Sequence, residues 1–519
     1  MKHYNVTFEP DGRQISIHEG ATILEAAGQA GIILNTVCGG RGTCKKCAVI
    51  IEPDKQQVLA CQFRVQNDLT VTIPRESRFF AHKILSHGID TQTQVHPDIY
   101  EKYKEVASDG KIFGVAVDIG TTTVVAKLIY MENGQCLATV ADLNPQSRYG
   151  NDVISRISYS QNDAKLTELH ETIIKCINGL TAKLCSWASI PEDQICEMCI
   201  VGNTTMNHIF LKLPVAQLGQ APYKAFSVDA KDIAPGELKL RMNSAGNVHT
   251  APNIAGFVGS DITAVALAVD MNSARDLTLV VDIGTNGEII LGTADKLLAA
   301  SCAAGPAFEG ARISCGSRAA EGAIEAVVID GNDIGFDVIG DCTPRSICGS
   351  GLIDAVTVML DLAVLNDAGR FANPGKLPPN IASRICDYQD QPAFRISDNV
   401  ILTQRDIREV QLAKAAVRSG IKILLRKMGL EDNDIKRIFL AGAFGNFIRR
   451  ESALRIGLLP SVPLERIHFV GNAACSGAQM LLIDSRLRKL AAELSRRIEY
   501  IEIAREEDFE SVFTESIFF

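Results

Sequence analysis

Four cysteines near the start of the sequence, Cys38, Cys44, Cys47 and Cys61, follow the spacing C-x5-C-x2-C-x13-C, the first three inside "CGGRGTCKKC". Three chemistries compete for such thiols. A structural zinc site pairs its ligands in two short clips. A redox dithiol needs only one C-x-x-C. A 2Fe–2S cluster needs four thiolates, and here three would come from one loop and one from a distant strand. Gly39, Gly40 and Gly42 would let backbone N–H groups turn toward an anionic cluster. Such bonds stabilise a cluster and tune its potential.

A second pair of segments points to phosphate. "IFGVAVDIGTTTVVAKLIY" reads as strand, tight glycine turn and strand, and "LTLVVDIGTNGEIILGT" repeats it further along the chain with V-D-I-G-T in common. Gly120 and Gly284 allow turns whose N–H groups face an anion. The hydroxyls of Thr121, Thr122 and Thr285, with Asn286 beside the last, can donate to phosphate oxygens. Asp118 and Asp282 end buried strands, where a carboxylate is costly unless solvated or paired with a metal. Mg²⁺, held largely through water, suits that place when phosphates bind. No G-x4-G-K-[ST] occurs, so this is not a Walker loop.

The elements that must position these residues fall into four stretches. Residues 1–77 read as a small β-rich unit, with a hairpin at "YNVTFEPDGRQISIHEG", a short helix at "ATILEAAGQAG", and strands at "CAVIIEP" and "LTVTIPR". Residues 78–110 read as a linker. Residues 111–270 form one lobe that opens on the first hairpin, and 271–519 a second lobe with an insertion. The 15 cysteines are scattered, which argues against a disulfide framework and for a reducing cytoplasm. A net charge of −9 argues against a nucleic-acid footprint. No apolar run is long enough to span a membrane, and the first residues lack a secretion-signal pattern. Cys196, Cys199, Cys302, Cys315, Cys342, Cys348 and Cys475 read as small buried residues, and His208 as a packed helix histidine.

The cysteine spacing in its β-rich frame resembles a 2Fe–2S ferredoxin domain of the β-grasp fold, which implies Cys38, Cys44, Cys47 and Cys61 as cluster ligands. The doubled hairpin resembles that of the actin, sugar kinase and heat-shock chaperone superfamily. That superfamily has two ribonuclease-H-like α/β lobes with ATP between them. "AGFVGSDITAVALAVD" (255–270) and "VGNAACSGAQMLL" (470–482) look like its two connecting helices, and "RIFLAGAFGNFI" like the adenosine-contacting strand and turn.

The two modules in one chain resemble the reductive activators of corrinoid proteins. "NPQSRYGNDVISRI", "VGNTTMNHIFL", "AGPAFEGARISCGSRAAEGAI", "ICGSGLIDAV" and "TQRDIREVQLAKAAVRSGI" strengthen the match. The resemblance implies ATP-driven reduction of Co(II) to Co(I) in the corrinoid protein of a methyltransferase system, such as an O-demethylase. A low-potential donor would supply the electron, and a homodimer is compatible with the resemblance. It implies that Asp118, Gly120, Thr121, Thr122, Asp282, Gly284, Thr285 and Asn286 hold phosphate and Mg²⁺. Gly442 and Gly445 would lie by the adenosine, with Asp261 and Glu288 as candidates to orient water. Two other readings keep the same modules: an activator serving a different client enzyme, and a redox-sensing small-molecule kinase.

Overall fold

The structure is a computed structural model of the 519-residue chain and describes all residues except 1, 11, 31, 33, 35–46, 75, 76, 78–98, 100, 101, 104–109, 151, 285 and 443–447. The expected linker therefore lies largely outside the described residues, as do Cys38, Cys44, Thr285 and Gly445.

The first unit is a mixed five-stranded sheet crossed by one helix. Its strands are β1 (His3–Glu9), β2 (Arg13–His18), β3 (Ala48–Glu52), β4 (Gln56–Leu59) and β5 (Leu69–Thr72), in the order β2-β1-β5-β3-β4. Val6 and Phe8 alternate inward from β1 and meet Val49 and Val71, the period of two that a half-buried strand requires. Helix α1 (Ile23–Gln29) starts at a capping box: Glu25 Oε2 accepts from Thr22 N at 2.6 Å, and Thr22 Oγ1 from Glu25 N at 3.2 Å. This is the expected β-grasp arrangement, with β4 as a strand the sequence reading missed.

The doubled hairpin opens two equivalent sheets. In the first lobe β6 (Phe113–Ile119), β7 (Thr123–Tyr130) and β8 (Gln135–Leu143) form an antiparallel meander. Helices α2 (Val153–Tyr159) and α3 (Asp163–Ala188) follow. Then β9 (Ile195–Gly202) pairs parallel with β6, α4 (Thr204–Phe210) follows it, and β10 (Lys231–Ile233) leads to β11 (Asn247–Thr250), parallel to β9. Helix α5 (Ser260–Ala268) closes the lobe.

The second lobe repeats the scheme. A meander of β12 (Thr278–Ile283), β13 (Gly287–Thr293) and β14 (Lys296–Cys302) comes first. An inserted region holds β15 (Ala323–Asp330), β16 (Asp333–Val338), β17 (Ser346–Ile347), α6 (Gly349–Asp361), β18 (Ile385–Tyr388), β19 (Gln391–Ser397) and β20 (Val400–Thr403), in two three-stranded sheets. Helix α7 (Gln404–Met428), β21 (Arg437–Ala441), β22 (Ile467–Gly471), α8 (Ala473–Ile483), α9 (Ser485–Arg497) and β23 (Ile498–Tyr500) complete it. Thus β11-β9-β6-β7-β8 matches β22-β21-β12-β13-β14, with α3 and α7 at the same point in each half. The shared V-D-I-G-T is the trace of this repeat.

The lobes meet through α5 and α8. Both are rich in small residues, and a Cβ built on Gly477 would stand 2.1 Å from Ala264 O. Ile262, Val265, Leu481 and Leu482 continue this seam into an apolar cluster shared with Ala116 and Val280 of the two sheets. The first connecting helix is shorter than expected: 255–259 is loop and the helix starts only after Gly259, whose extended backbone lies so close to Asn203 that a Cβ would come within 2.4 Å of its Cα. Cys196, Cys199, Cys302, Cys348 and Cys475 are buried as expected, whereas Cys315 and Cys342 are only half-buried.

His208 is fully buried in α4, and its Nε2 accepts from the N–H of Phe226 at 3.2 Å. Burial pulls its imidazole down to about 4. The unfolded chain therefore binds a proton there between about 6.5 and 4 that the folded chain excludes, so stability rises with pH across that window and is lost as the pH is lowered through it. His208→Gln should flatten this slope in thermal melts at pH 4–7. Gly477→Ala should lower stability by about 1–3 kcal/mol through overpacking. Gly179→Ala, at a helix position with open space around it, should be neutral or stabilising when the melts of both glycine variants are compared with the native chain.

Candidate functional site

The first hairpin turn is closed by the N–H of Gly120 donating to Thr123 O at 3.0 Å. Three distant side chains brace it. Asn144 Nδ2 donates to Gly120 O at 2.8 Å, Arg156 Nη2 to Thr121 O at 2.5 Å, and Asn203 Nδ2 to Thr121 Oγ1 at 3.0 Å. The second turn repeats the closure, with Gly284 N–H donating to Asn286 O at 3.0 Å. Gly442 follows β21 with φ 92°, and a Cβ there would come within 2.7 Å of Asp282 Oδ1. A side chain at that position would displace the carboxylate.

Both turns face one cavity of about 830 Å³ between the lobes. The expected residues Asp118, Gly120, Thr121, Thr122, Asp261, Asp282, Gly284, Asn286, Glu288 and Gly442 all line it. Asp118 and Asp282 sit at equivalent ends of β6 and β12, Asp261 in the first turn of α5, and Glu288 in β13 opposite Asp282. Burial pushes the Asp118 carboxyl up to about 6, against the opposing hydrogen bond from Asn472 Nδ2 at 2.8 Å. Burial, then the Asp118 charge, raises Asp282 to about 7. Asp261 and Glu288 are raised too, by burial first and by neighbouring carboxylates second. The cavity thus gathers carboxyl groups whose ionisation is suppressed by burial and by one another, and a cation among them would favour the charged forms. Among the described residues no group of three or more Asp, Glu, His or Cys is arranged to hold a metal ion alone. This donor set fits a hard cation that takes its remaining ligands from water and phosphate.

The cavity reaches two further regions. Phe308 and Glu309, from "AGPAFEG", lie on its wall, and Thr122 Oγ1 donates to Glu309 Oε2 at 3.3 Å across the lobes. Gln14, Ile15 and Ser16 of β2 line it as well. This edge of the first unit is fastened to the second lobe by Ser16 Oγ donating to Asp341 Oδ2 at 2.6 Å. The contacts His3 Nε2–Asp341 Oδ1 at 2.8 Å and His18 Nε2–Asp337 Oδ2 at 3.2 Å join it.

In the first unit, strand register brings two of the four cysteines together. Ala48 pairs with Leu59, so Cys47, just before β3, meets Cys61, just after β4. Their Sγ atoms stand 3.3 Å apart in the apolar core, and Gln62 Nε2 donates toward Cys61 Sγ at 3.7 Å. Two buried thiols side by side are a donor set that suits a shared iron.

The sequence reading missed Asn144, Arg156, Asn203 and Asn472 as individuals. The first three lie inside the quoted segments "NPQSRYGNDVISRI" and "VGNTTMNHIFL", and Asn472 in "VGNAACSGAQMLL". The signal was a density of amide and arginine side chains beside glycine turns, which marks a braced loop without naming its partners.

Residues 3–76 match the family described as a 2Fe-2S iron-sulfur cluster binding domain, 113–274 the RACo middle region, and 276–519 the C-terminal domain of RACo, the ASKHA domain. Corrinoid activation enzyme RamQ of Eubacterium limosum is 32% identical to this chain, with 96% of each covered. A Co(II) methylated amine-specific corrinoid protein reductase of Methanosarcina barkeri is 24% identical over 78% of this chain and 76% of its own. The solved structure of a reductive activator for corrinoid, iron-sulfur protein is 29% identical and superposes with a TM-score of 0.72, covering 99% of this chain and 98% of that one. By its three domains and its full-length similarity, the chain belongs to the family of reductive activators of corrinoid proteins.

Proposed function

We propose that this chain couples ATP to the one-electron reduction of an inactive Co(II) corrinoid protein to Co(I), in a methyltransferase system such as an O-demethylase. The observation that supports this most is a shared wall. The unit that closes Cys47 on Cys61 also contributes β2 to the cavity into which both hairpins point. On this reading the electron-carrying unit and the nucleotide cavity would be in mechanical contact.

Cys38, Cys44, Cys47 and Cys61 would hold a 2Fe–2S cluster, which when bound supplies single electrons at low potential. The donor class is a low-potential reductant, whose one electron converts Co(II) to Co(I). Gly120, Thr121, Thr122, Gly284, Thr285 and Asn286 would cradle the phosphates of ATP. Asp118 and Asp282 would hold Mg²⁺ through water, Gly442 and Gly445 would flank the adenosine, and Asp261 and Glu288 would orient the attacking water. Each ~100 mV of uphill transfer costs about 2.3 kcal/mol per electron. Nucleotide turnover in a hinged cleft can offset several such units by driving closure. The scattered cysteines suit a reducing cytoplasm.

The test uses anaerobic protein, a low-potential reductant and a Co(II) corrinoid protein. Loss of the Co(II) absorbance should require ATP, stop on chelation of divalent cations and return with Mg²⁺. Co(II) loss at equal rate without nucleotide would overturn the reading. Cys47→Ser should remove the iron–sulfur spectrum and leave nucleotide affinity within about threefold. Asp282→Asn should keep the spectrum and abolish ATP-dependent reduction. Loss of both properties in either folded variant would contradict two separable modules.

A further inference from the structure

Arg156 is the largest fully buried side chain among the described residues. Its guanidinium sits behind the first hairpin, and all its hydrogen bonds among those residues go to neutral acceptors. Nε donates to Gly150 O at 3.0 Å, Nη1 to Gln146 Oε1 at 3.3 Å and toward Met206 Sδ at 3.0 Å, and Nη2 to Thr121 O at 2.5 Å. The carboxylate that it feels is Asp152. Asp152 is engaged elsewhere, accepting from Ser155 N at 2.7 Å and from Ser155 Oγ at 3.0 Å as the cap of α2. Arg488, which is partly buried, differs in having a carboxylate partner, Glu197 Oε1 at 2.7 Å. Burying an arginine without a partner anion is expensive, so such a charge calls for a counter-ion from somewhere. Burial lowers its ionisation only to about 10, so it stays a cation at neutral pH.

The acceptor gives this charge a direction. Thr121 O belongs to the peptide whose other end is the N–H of Thr122, and both residues line the cavity. A charged donor on a carbonyl polarises its peptide and strengthens the N–H on the far side. Among the described residues the cavity lining carries one cation, the exposed Arg318, against acidic side chains that include Asp118, Asp261, Asp282, Glu288 and Glu309, so the buried Arg156 is the cation held rigidly beside it.

We propose that Arg156 is the fixed counter-charge for the anionic ligand of this cavity. Acting through the Thr121–Thr122 peptide, it is a positioning residue that makes the site select a phosphorylated nucleotide over its nucleoside. The inference rests on the nucleotide reading above and adds a basis for selectivity.

The experiment is calorimetric titration of the anaerobic full-length protein with ADP and with adenosine, in chelator and in Mg²⁺. Arg156→Met and Arg156→Lys both break the guanidinium fork, but only the second keeps the charge. Arg156→Met should weaken ADP by about tenfold or more, or ~1.4 kcal/mol, with adenosine unchanged. Arg156→Lys should retain most of the ADP affinity. Equal loss in both variants, or adenosine weakening in step with ADP, would make Arg156 a scaffold residue and overturn the proposal. Should the variants not fold, the native chain decides. In chelator it should bind ADP more tightly than adenosine, and equal affinities would sink the inference. A native chain that binds neither ligand in any condition would instead remove the nucleotide reading itself.

Discussion

The close approach of α5 and α8 is the constraint on which the rest of the site depends. With Gly477 set against the backbone of Ala264, the two sheets come near enough for their opening hairpins to face one another. Asp118 and Asp282 then share one cavity rather than ending two unrelated strands. Burial then makes their ionisation costly, and for Asp282 the Asp118 charge adds to that cost.

The repeat explains why so much function fits into short motifs. Each hairpin supplies one aspartate, one glycine turn and hydroxyl or amide groups at its tip. Pairing two copies yields a site that neither has alone. The differences between copies are informative. The first turn is braced by Asn144, Arg156 and Asn203, whereas Gly442, in left-handed backbone, makes room beside Asp282 in the second. The cavity is thus symmetric in its acids and asymmetric in its supports.

The two hairpins, the connecting helices and the β-grasp frame were legible because each is written in local pattern: alternation, glycine turns and runs of small residues. Cys47 and Cys61 were legible from spacing as two of four candidate ligands but not as neighbours, and β3–β4 register accounts for their meeting although β4 itself was overlooked. The braces were not legible. Asn472 lies 354 residues from the Asp118 it contacts, and Asn203 lies 82 from Thr121, distances over which no local pattern runs. The inserted sheets of β15 to β20 were also missed in detail, since their short strands carry little periodicity. Cys315 and Cys342 were misjudged because small-residue loops occur at surfaces as readily as in cores.

The edge strand β2 has a thermodynamic consequence. Because Gln14, Ile15 and Ser16 form part of the cavity wall, a ligand in the cavity meets a different enclosure when the thiol-bearing unit is docked than when it is displaced. Any difference in ligand affinity between those two arrangements equals, by reciprocity, the ligand's effect on the docking equilibrium. The position of the electron carrier and the occupancy of the cleft are then two readings of a single coupling free energy, and that coupling would need no dedicated relay between them.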